Sequence, residues 1–341
     1  MILRSRERWI FIGSPFASVI IITLANGLLF YYNEIGLYTK YRKNTNRGVH
    51  MEQIQLRAMA KINLGLDVVR RREDGYHEVK MIMQTIRLFD RLVMTRTKKE
   101  GIELESNLRF LPLNETNLAY KAADLMIQKS GLKEGVHIYI QKRIPVSAGM
   151  AGGSADGAAV LFGMNRMFRL GYSDQELKEI GLKLGADVPY CLMRGTALAE
   201  GIGEVLTPLT PCPDCYVVIA KPALSVSTKF VYENLHVETI TDHPDIDGLI
   251  RGIERGNLRE MIPYMGNVLE RVSIPAYPII GEIKEKMMEY GAMVSLMSGS
   301  GPTVFGLFET QEGAMAAKEK LQRWGQAPMV YATELYHNRT V

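Results

Sequence analysis

The sequence has little cysteine and no spacing of histidines that is typical of a metal site. Three of its 341 residues are cysteine, too few for a disulfide framework in a chain this long, which favours a reducing, cytoplasmic compartment. Its six histidines are scattered without the H-x-x-x-H spacing of zinc enzymes. The motif CPDC at 212–215 precedes a strand-like run and has no second cysteine pair, so two ordinary loop cysteines are the simpler interpretation. Metal catalysis through histidine therefore has no support.

The main body of the chain also lacks an excess of charge of either sign. Seven of the 41 Lys and Arg and two of the 37 Asp and Glu lie in residues 1–50, which leaves 34 basic and 35 acidic residues after them. Such a body is not a nucleic-acid binder by electrostatics. With 47% hydrophobic residues and no repeats, the composition is that of a globular protein, and the length predicts two domains.

Residues 1–50 form an extension for which three hypotheses stay open. The uncharged stretch 9–33 follows three arginines, the length and flanks of a membrane anchor or an uncleaved signal. Alternatively, the segment is an artefact of the chosen start, because the run NRGVHM can be encoded by a purine-rich stretch just before an ATG, which makes Met51 the natural first residue. A disordered or loosely packed tail is the third hypothesis. No membrane contact is expected of residues 51–341.

Hydrophobic periodicity predicts an α+β fold. Strands are expected from Met51 onward, as paired extended segments at 80–97, and at 136–140 and 216–220. Helices are expected at 116–131, from the Gly/Ala-rich run to about Phe168, at 172–185 with a Ser173–Glu176 capping box, within 228–271 and at 278–290. A strand pair is expected around SGSG, followed by a last helix and a last strand. The run PLTPCPDC at 208–215 is the best linker candidate, so domains are predicted at 51–211 and 212–341.

The run IPVSAGMAGGSADGAAVL at 144–161 has four glycines and five alanines between a strand and a helix. A turn of this kind exposes backbone N–H groups and directs a helix dipole at a ligand, for which phosphate is the natural choice. It is neither a P-loop nor a G-x-G-x-x-G motif, so close packing of small residues is an equal alternative. Ser154 offers a hydroxyl to phosphate or Mg²⁺, or is simply the N-cap of the helix.

Other polar residues have both a functional and an ordinary explanation. Lys61 and Asn63 share one side of a strand, a pattern most typical of solvated surface. Asp187 follows a Gly-ended helix in a predicted loop, where a carboxylate is either held rigidly or acts as a turn or cap residue. Tyr76 and His77 offer an aromatic face and a donor suited to a nucleobase, although the preceding Asp-Gly is an ordinary hairpin signal.

In this order, the motifs AKINLGLDV, RREDGYHEV, IPVSAGMAGGSADGAA, LGADVPYCL, AEGIGE and SGSGPTVF resemble the GHMP kinase superfamily. Within it, DGYHE and GADVPY resemble the family of kinases that phosphorylate 4-diphosphocytidyl-2-C-methyl-D-erythritol in non-mevalonate isoprenoid synthesis. The resemblance begins at about Gln55. It implies a two-domain GHMP-kinase-like fold, with an N-terminal domain like ribosomal protein S5 and a ferredoxin-like C-terminal domain. It also implies ATP, Mg²⁺, and a monomer or homodimer.

The resemblance implies catalytic roles for two residues and substrate contacts for four. Lys61 and Asp187 correspond to the catalytic pair, with Asp187 as the base. The residues that correspond to contacts with the cytidine end and the acceptor are Asn63, Tyr76, His77 and, as a second aromatic beside the cytosine, Tyr232.

The resemblance implies two sets of ATP contacts. Asn117 and Lys142 fall where the family contacts the adenosine end. The ATP-phosphate loop corresponds to Pro145, Val146, Ser147, Ala148, Gly149, Met150, Ala151, Gly152, Gly153, Ser154 and Ala155. The family's usual G-L-G-G-G-S-S-D-A-A-A differs here at Met150, Ala151, Ala155 and Gly157. Gly157, expected inside the first helical turn, costs about 1 kcal/mol of helix propensity and should loosen the loop.

Three alternatives to this function stay open. One is another GHMP kinase, acting on homoserine, mevalonate or a sugar. The second is a nucleotide-binding regulator without turnover, against which the presence of both Lys61 and Asp187 argues. The third is a membrane protein that carries a kinase domain.

Overall fold

The computed structural model describes residues 8–11, 20–23, 28–32, 38–44 and 48–337, with side chains for 51–337. Its strands are β1 (Arg8–Phe11), β2 (Ile20–Thr23), β3 (Leu28–Tyr32), β4 (Tyr38–Asn44), β5 (Gly48–Arg71), β6 (His77–Thr97), β7 (Ile102–Ser106), β8 (Gly135–Gln141), β9 (Thr196–Glu200), β10 (Val205–Pro208), β11 (Tyr216–Lys221), β12 (Val294–Met297), β13 (Val304–Phe308) and β14 (Met329–Glu334). Its α-helices are α1 (Leu118–Ser130), α2 (Gly152–Phe168), α3 (Asp174–Leu182), α4 (Asp187–Met193), α5 (Thr228–Glu233), α6 (Ile246–Glu254), α7 (Leu258–Met261), α8 (Glu270–Ala276), α9 (Ile279–Glu289) and α10 (Gln311–Trp324). Two 3-10 helices span Val237–Thr239 and Ile262–Tyr264.

The larger sheet is built around the long antiparallel hairpin of β5 and β6. Its described strands run in the order β1-β2-β3-β4-β5-β6-β8-β7, with β9 paired to β6 and β10 to β9. The Asp-Gly hairpin signal is confirmed, since Arg72 N–H donates to the Tyr76 carbonyl at 2.8 Å across the turn. Residues 80–97 lie in one strand, which pairs with β5, β8 and β9. The prediction that this range forms paired extended segments is therefore wrong.

The smaller sheet is antiparallel, in the order β12-β13-β11-β14. Strands grouped beside helices confirm the α+β prediction. Within the described part of the chain, the larger sheet ends at Pro208 and the smaller begins at Tyr216, on either side of the PLTPCPDC run. The domain limits at 51–211 and 212–341 themselves stay predictions.

The core between the two sheets places the Gly/Ala-rich run. One cluster of buried side chains joins Ile62 and Leu64 of β5 to Ile219 of β11 and Phe305 of β13, and it includes Ala148 and Met150 of that run. Burial of apolar area is the main stabilising term here, at about 25 cal/mol per Å². The run is therefore held at the junction between the sheets and not on an outer surface.

The extension is described only in part. Strands β1 to β4 form an antiparallel series that joins β5, and nothing of their side chains is described. Among the helices of the described residues, none is long and apolar enough to cross a membrane. The three hypotheses for residues 1–50 concern segments and side chains outside the described residues.

Two expectations about the start of α2 are wrong. Because the helix begins at Gly152, with Ala151 as its N-cap, Ser154 is the third helical residue and not the cap. For the same reason Gly157 is the sixth helical residue and lies in the second turn. By contrast, the predicted cap at Gly131 and the capping box of Ser173 with Glu176 are both confirmed.

Gly157→Ala is expected to stabilise the protein by about 0.5 to 1 kcal/mol, because alanine removes the helix-propensity cost and has room. An added Cβ would lie 3.4 Å from the Leu118 carbonyl oxygen and 3.5 Å from Leu118 Cβ, ordinary contact distances. The matched control is Gly163→Ala in the same helix, where the Cβ would lie 2.4 Å from Met94 Sδ. Urea unfolding should show a gain for the first variant and a loss for the second; losses in both would contradict the interpretation.

Candidate active site

A cavity of about 700 Å³ lies where the Gly/Ala-rich run, the β5–β6 hairpin and helices α4 and α5 meet. Predicted site residues from five separate segments line it: Lys61, Asn63, Tyr76, His77, Gly149, Ala151, Ser154, Asp187 and Tyr232. This volume is in the range of small-molecule sites. Predicted site residues that are far apart in the chain therefore line one cavity.

The Gly/Ala-rich loop is fixed to its neighbours through its backbone. Lys61 N–H donates to the Met150 carbonyl at 3.2 Å, and Ser298 Oγ donates to the Gly149 carbonyl at 2.9 Å. A Cβ on Gly149, whose φ is 69°, would lie 2.1 Å from the Ser298 carbonyl oxygen. Close packing therefore explains the missing side chain at Gly149, and phosphate binding by the loop stays a prediction.

The N-terminal end of α2 faces this cavity through Ala151 and Ser154. Ala151 has a φ of 54° and, as N-cap, offers no side-chain acceptor to the first-turn N–H groups. Uncapped N–H groups and the positive end of a 17-residue helix together favour an anion. The remaining predicted loop residues do not line the cavity: Pro145, Val146, Ser147, Ala148, Met150, Gly152, Gly153 and Ala155.

Lys61 and Asn63 are buried, with 5% and 0% of their surface exposed. The prediction of solvated surface is therefore wrong. Lys61 Nζ donates to Asn63 Oδ1 at 2.7 Å, and Asn63 Nδ2 donates to Met81 Sδ at 3.3 Å. The amide thus holds the ammonium group in place at the cavity wall.

Asp187 is the first residue of α4. The prediction that it lies in a loop is therefore wrong. Asp187 and Lys61 line the same cavity. Both also act on one neighbour: burial raises the pKa of the Cys191 thiol, the negative charge of Asp187 raises it further, and the positive charge of Lys61 opposes the rise. Residues 126 positions apart in the chain therefore converge on one place.

Aromatic side chains also line the cavity. The rings of His77 and Tyr232 lie 5.1 Å apart between centroids, tilted by 38°, and Tyr76 is 62% exposed beside them. Burial, together with the positive charge of Arg71, lowers the pKa of His77, which keeps its imidazole neutral at neutral pH. Burial raises the pKa of Tyr232 to about 12, so its phenol also stays neutral. Neutral rings suit stacking on a planar base.

Asn117 does not line the cavity. Its Oδ1 accepts from Ala119 N–H at 2.9 Å and caps α1, while its Nδ2 donates to the Pro112 carbonyl at 2.8 Å. Both polar groups of its side chain are therefore used locally, and its contact with adenosine stays a prediction.

Lys142 lies outside the cavity lining, in a buried ionic cluster behind the loop. Its Nζ donates to Asp90 at 2.5 Å and to Asp156 at 2.7 Å, which ties the end of β8 to β6 and α2. Burial alone lowers the pKa of Lys142, but the charges of Asp156 and Asp90 outweigh burial and raise it. The structure thus shows Lys142 supporting α2, and its adenosine contact stays a prediction.

The cavity also has polar lining residues that were not predicted as site residues: Arg71, Thr228, Lys229, Glu233 and Ser300. Thr228 Oγ1 and Ser300 Oγ lie 2.8 Å apart and join α5 to the SGSG turn. A usable signal was present for Lys229, which precedes Tyr232 by three residues and shares its helix face once a helix is assumed.

Comparison with known proteins decides the family. The GHMP kinases N terminal domain matches residues 117–195, and the GHMP kinases C terminal domain matches residues 249–327. A 4-diphosphocytidyl-2-C-methyl-D-erythritol kinase of Lachnospira eligens is 54% identical over 286 residues, which cover 84% of this chain and 99% of that protein. The chain belongs to the 4-diphosphocytidyl-2-C-methyl-D-erythritol kinase family.

Further relatives of this 4-diphosphocytidyl-2-C-methyl-D-erythritol kinase family agree. The kinase of the same name from Lachnoclostridium phytofermentans is 50% identical, over 85% of this chain and all of that protein. A crystal structure of 4-(cytidine 5'-diphospho)-2C-methyl-D-erythritol kinase matches with a TM-score of 0.72 and 36% identity, covering 82% of this chain and 98% of that one. A homoserine kinase structure from Cytophaga hutchinsonii, at 18% identity and a TM-score of 0.63, shows the shared fold alone. The predicted GHMP kinase fold is confirmed.

Proposed function

We propose that this chain transfers the γ-phosphate of ATP to the 2-hydroxyl of 4-diphosphocytidyl-2-C-methyl-D-erythritol. The supporting observation is that one cavity is lined both by Lys61 and Asp187 and by the ring pair of His77 and Tyr232. A cytidine-bearing alcohol needs both groups of residues, because it has a base to stack and a hydroxyl to be phosphorylated. Relatives that bear this name at 50% identity and above support the same substrate.

The donor phosphates bind at the N-terminal end of α2. There the loop N–H groups and the helix dipole stabilise negative charge. Ser154 lines the cavity, and its hydroxyl would be a protein ligand of Mg²⁺, which keeps several waters and completes its shell with substrate phosphates. When bound, Mg²⁺ neutralises charge on the phosphates.

In the transfer step, the substrate 2-hydroxyl oxygen attacks the γ-phosphorus and the bond to the β-phosphate oxygen breaks, releasing ADP. Asp187 receives the hydroxyl proton, and Lys61 offsets the negative charge that develops on the transferred group. Asn63 keeps the ammonium group of Lys61 in position through its 2.7 Å hydrogen bond. The protein thus works mainly by positioning and electrostatics.

The proposal is tested by ADP release with ATP and each of three acceptors: the cytidylylated methylerythritol, homoserine and mevalonate. We expect turnover of the first to exceed the others by at least about 100-fold in kcat/KM, because the small alcohols have no base to stack on His77 and Tyr232. Preference for either small alcohol would support another GHMP kinase activity. Binding of ATP without turnover of any acceptor would support the non-catalytic regulator.

Location and assembly are further parts of the proposal. We place the protein in the cytoplasm as a monomer or homodimer without a nucleic-acid partner. Free, buried thiols at Cys191, Cys212 and Cys215 are consistent with a reducing compartment. Burial also raises the pKa of Cys215 to about 12 and that of Cys212 well above its usual value, so neither is a ready nucleophile.

A further inference from the structure

The cavity is lined by two cations that the transfer step does not use, Arg71 and Lys229. Arg71 ends β5 and lies directly opposite His77 in the hairpin. Lys229 lies on α5, three residues before Tyr232, so the two share a helix face. One cation therefore stands beside each ring of the His77–Tyr232 pair.

Arg71 differs from the arginines on either side of it. Arg70 pairs with Glu78 at 2.6 Å, and Arg72 pairs with Asp74 at 2.9 Å. Arg71 is exposed and has no ion-pair partner among the residues with described side chains. An arginine that faces a cavity without a carboxylate beside it is available to an anionic ligand.

Lys229 is held only weakly by its neighbour. Its Nζ lies 3.7 Å from Glu233, with 81% and 60% of the two side chains exposed. Exposed pairs of this kind contribute little to stability, because water screens the two charges and both side chains lose freedom in the pair. A ligand phosphate can therefore replace Glu233 as the partner of Lys229 at little cost.

We propose that Arg71 and Lys229 bind the diphosphate of the cytidine substrate. This inference rests on the proposed function, which places the base beside His77 and Tyr232 and the reacting hydroxyl beside Asp187. The diphosphate joins those two parts, so its negative charges pass the residues that flank the rings. A guanidinium group matches phosphate geometry bidentately, and an ammonium group supplies a point charge. Small alcohol substrates of related kinases have no such group to bind.

Glu233 gives the proposal a test of opposite sign. Its carboxylate lines the same cavity and is the partner of Lys229. If the diphosphate binds there, Glu233 repels it and competes for Lys229. Removing that negative charge should therefore strengthen substrate binding, whereas a purely structural role of α5 predicts that changes at Lys229 and Glu233 both weaken it.

The experiment measures steady-state kinetics of Lys229→Gln, Arg71→Gln, Glu233→Gln and, as a control, Lys129→Gln on the exposed face of α1. We expect the first two to raise KM for the cytidylylated substrate about 5- to 20-fold, as for the loss of one charge-assisted hydrogen bond, with kcat and KM for ATP within about twofold. Glu233→Gln should lower that KM, and the control should leave it unchanged.

A binding measurement separates diphosphate recognition from base recognition. Calorimetry with CDP and with cytidine, in the presence of saturating non-hydrolysable ATP analogue, should show tighter binding of CDP by the native protein. Lys229→Gln and Arg71→Gln should reduce that advantage and leave cytidine affinity unchanged. Suppose that the native protein turns over the substrate, that both variants keep its KM, and that both still bind CDP more tightly than cytidine by the native margin. That result would overturn the proposal. Absence of turnover by the native chain would instead overturn the proposed function.

Discussion

Asp187→Asn is expected to lower kcat about 10²- to 10⁴-fold, the usual contribution of a positioned general base. The amide keeps the size of the side chain but cannot receive the hydroxyl proton. ATP affinity should change little, because the loop at the N-terminal end of α2 and not Asp187 holds the donor phosphates in this account. Single-turnover kinetics together with nucleotide titration measure both quantities.

Asp174→Asn is the matched control for that variant. Asp174 is the first residue of α3, as Asp187 is of α4, so both changes remove a carboxylate from the first position of a helix. Each should cost about 0.3 to 1 kcal/mol of stability through the helix dipole. Only Asp187→Asn should slow transfer, and an unimpaired rate in that variant would remove Asp187 from the base role.

Gly149→Ala is expected to destabilise the protein by about 2 to 5 kcal/mol. Left-handed backbone at φ 69° costs alanine about 1 to 2 kcal/mol, and overpacking adds about 1 to 3 kcal/mol. The added Cβ would lie 2.1 Å from the Ser298 carbonyl oxygen, a backbone atom that no side-chain rotation can move away. Because the loop must move, KM for ATP should rise as well.

Gly131→Ala separates strain from crowding. Gly131 has a φ of 66°, close to that of Gly149, but a Cβ there would meet nothing within 4 Å. Gly131→Ala should therefore lower the free energy of unfolding only by the cost of the left-handed backbone, about 1 to 2 kcal/mol. Equal losses in urea unfolding of the two variants would contradict the close contact of Gly149 with the SGSG turn.

Local chemistry explains which elements were predictable. Helix α1 begins at the cap Asn117 and ends at Gly131 in a left-handed conformation, and α3 begins with a capping box. These signals depend on residues within a few positions of one another. The Asp-Gly turn between β5 and β6 was predictable for the same reason.

Burial of Lys61 and Asn63 could not be predicted from their spacing. Strand β5 packs α2 on one face and the smaller sheet on the other, so both of its faces are covered. Alternation of polar and apolar residues in one strand does not show this, because the covering elements are far away in the chain. The family motifs, in contrast, predict both residues as site residues.

Short helices and exposed cations also lack a sequence pattern that predicts their place in the fold. Helix α4 has seven residues with Pro189 at its third position, too short for a periodic pattern, which explains why Asp187 was expected in a loop. In the sequence, Arg71 and Lys229 have the pattern of solvated surface residues. Only the fold shows that they line the same cavity as His77 and Tyr232.

The decisive experiment is a crystal structure of the chain with the cytidylylated methylerythritol and a non-hydrolysable ATP analogue. We expect the cytosine beside His77 and Tyr232, the γ-phosphate at the N-terminal end of α2, and the 2-hydroxyl within about 2.6 to 3.2 Å of the Asp187 carboxylate. A complex in which the 2-hydroxyl lies beyond reach of Asp187 while both ligands are bound would contradict this expectation.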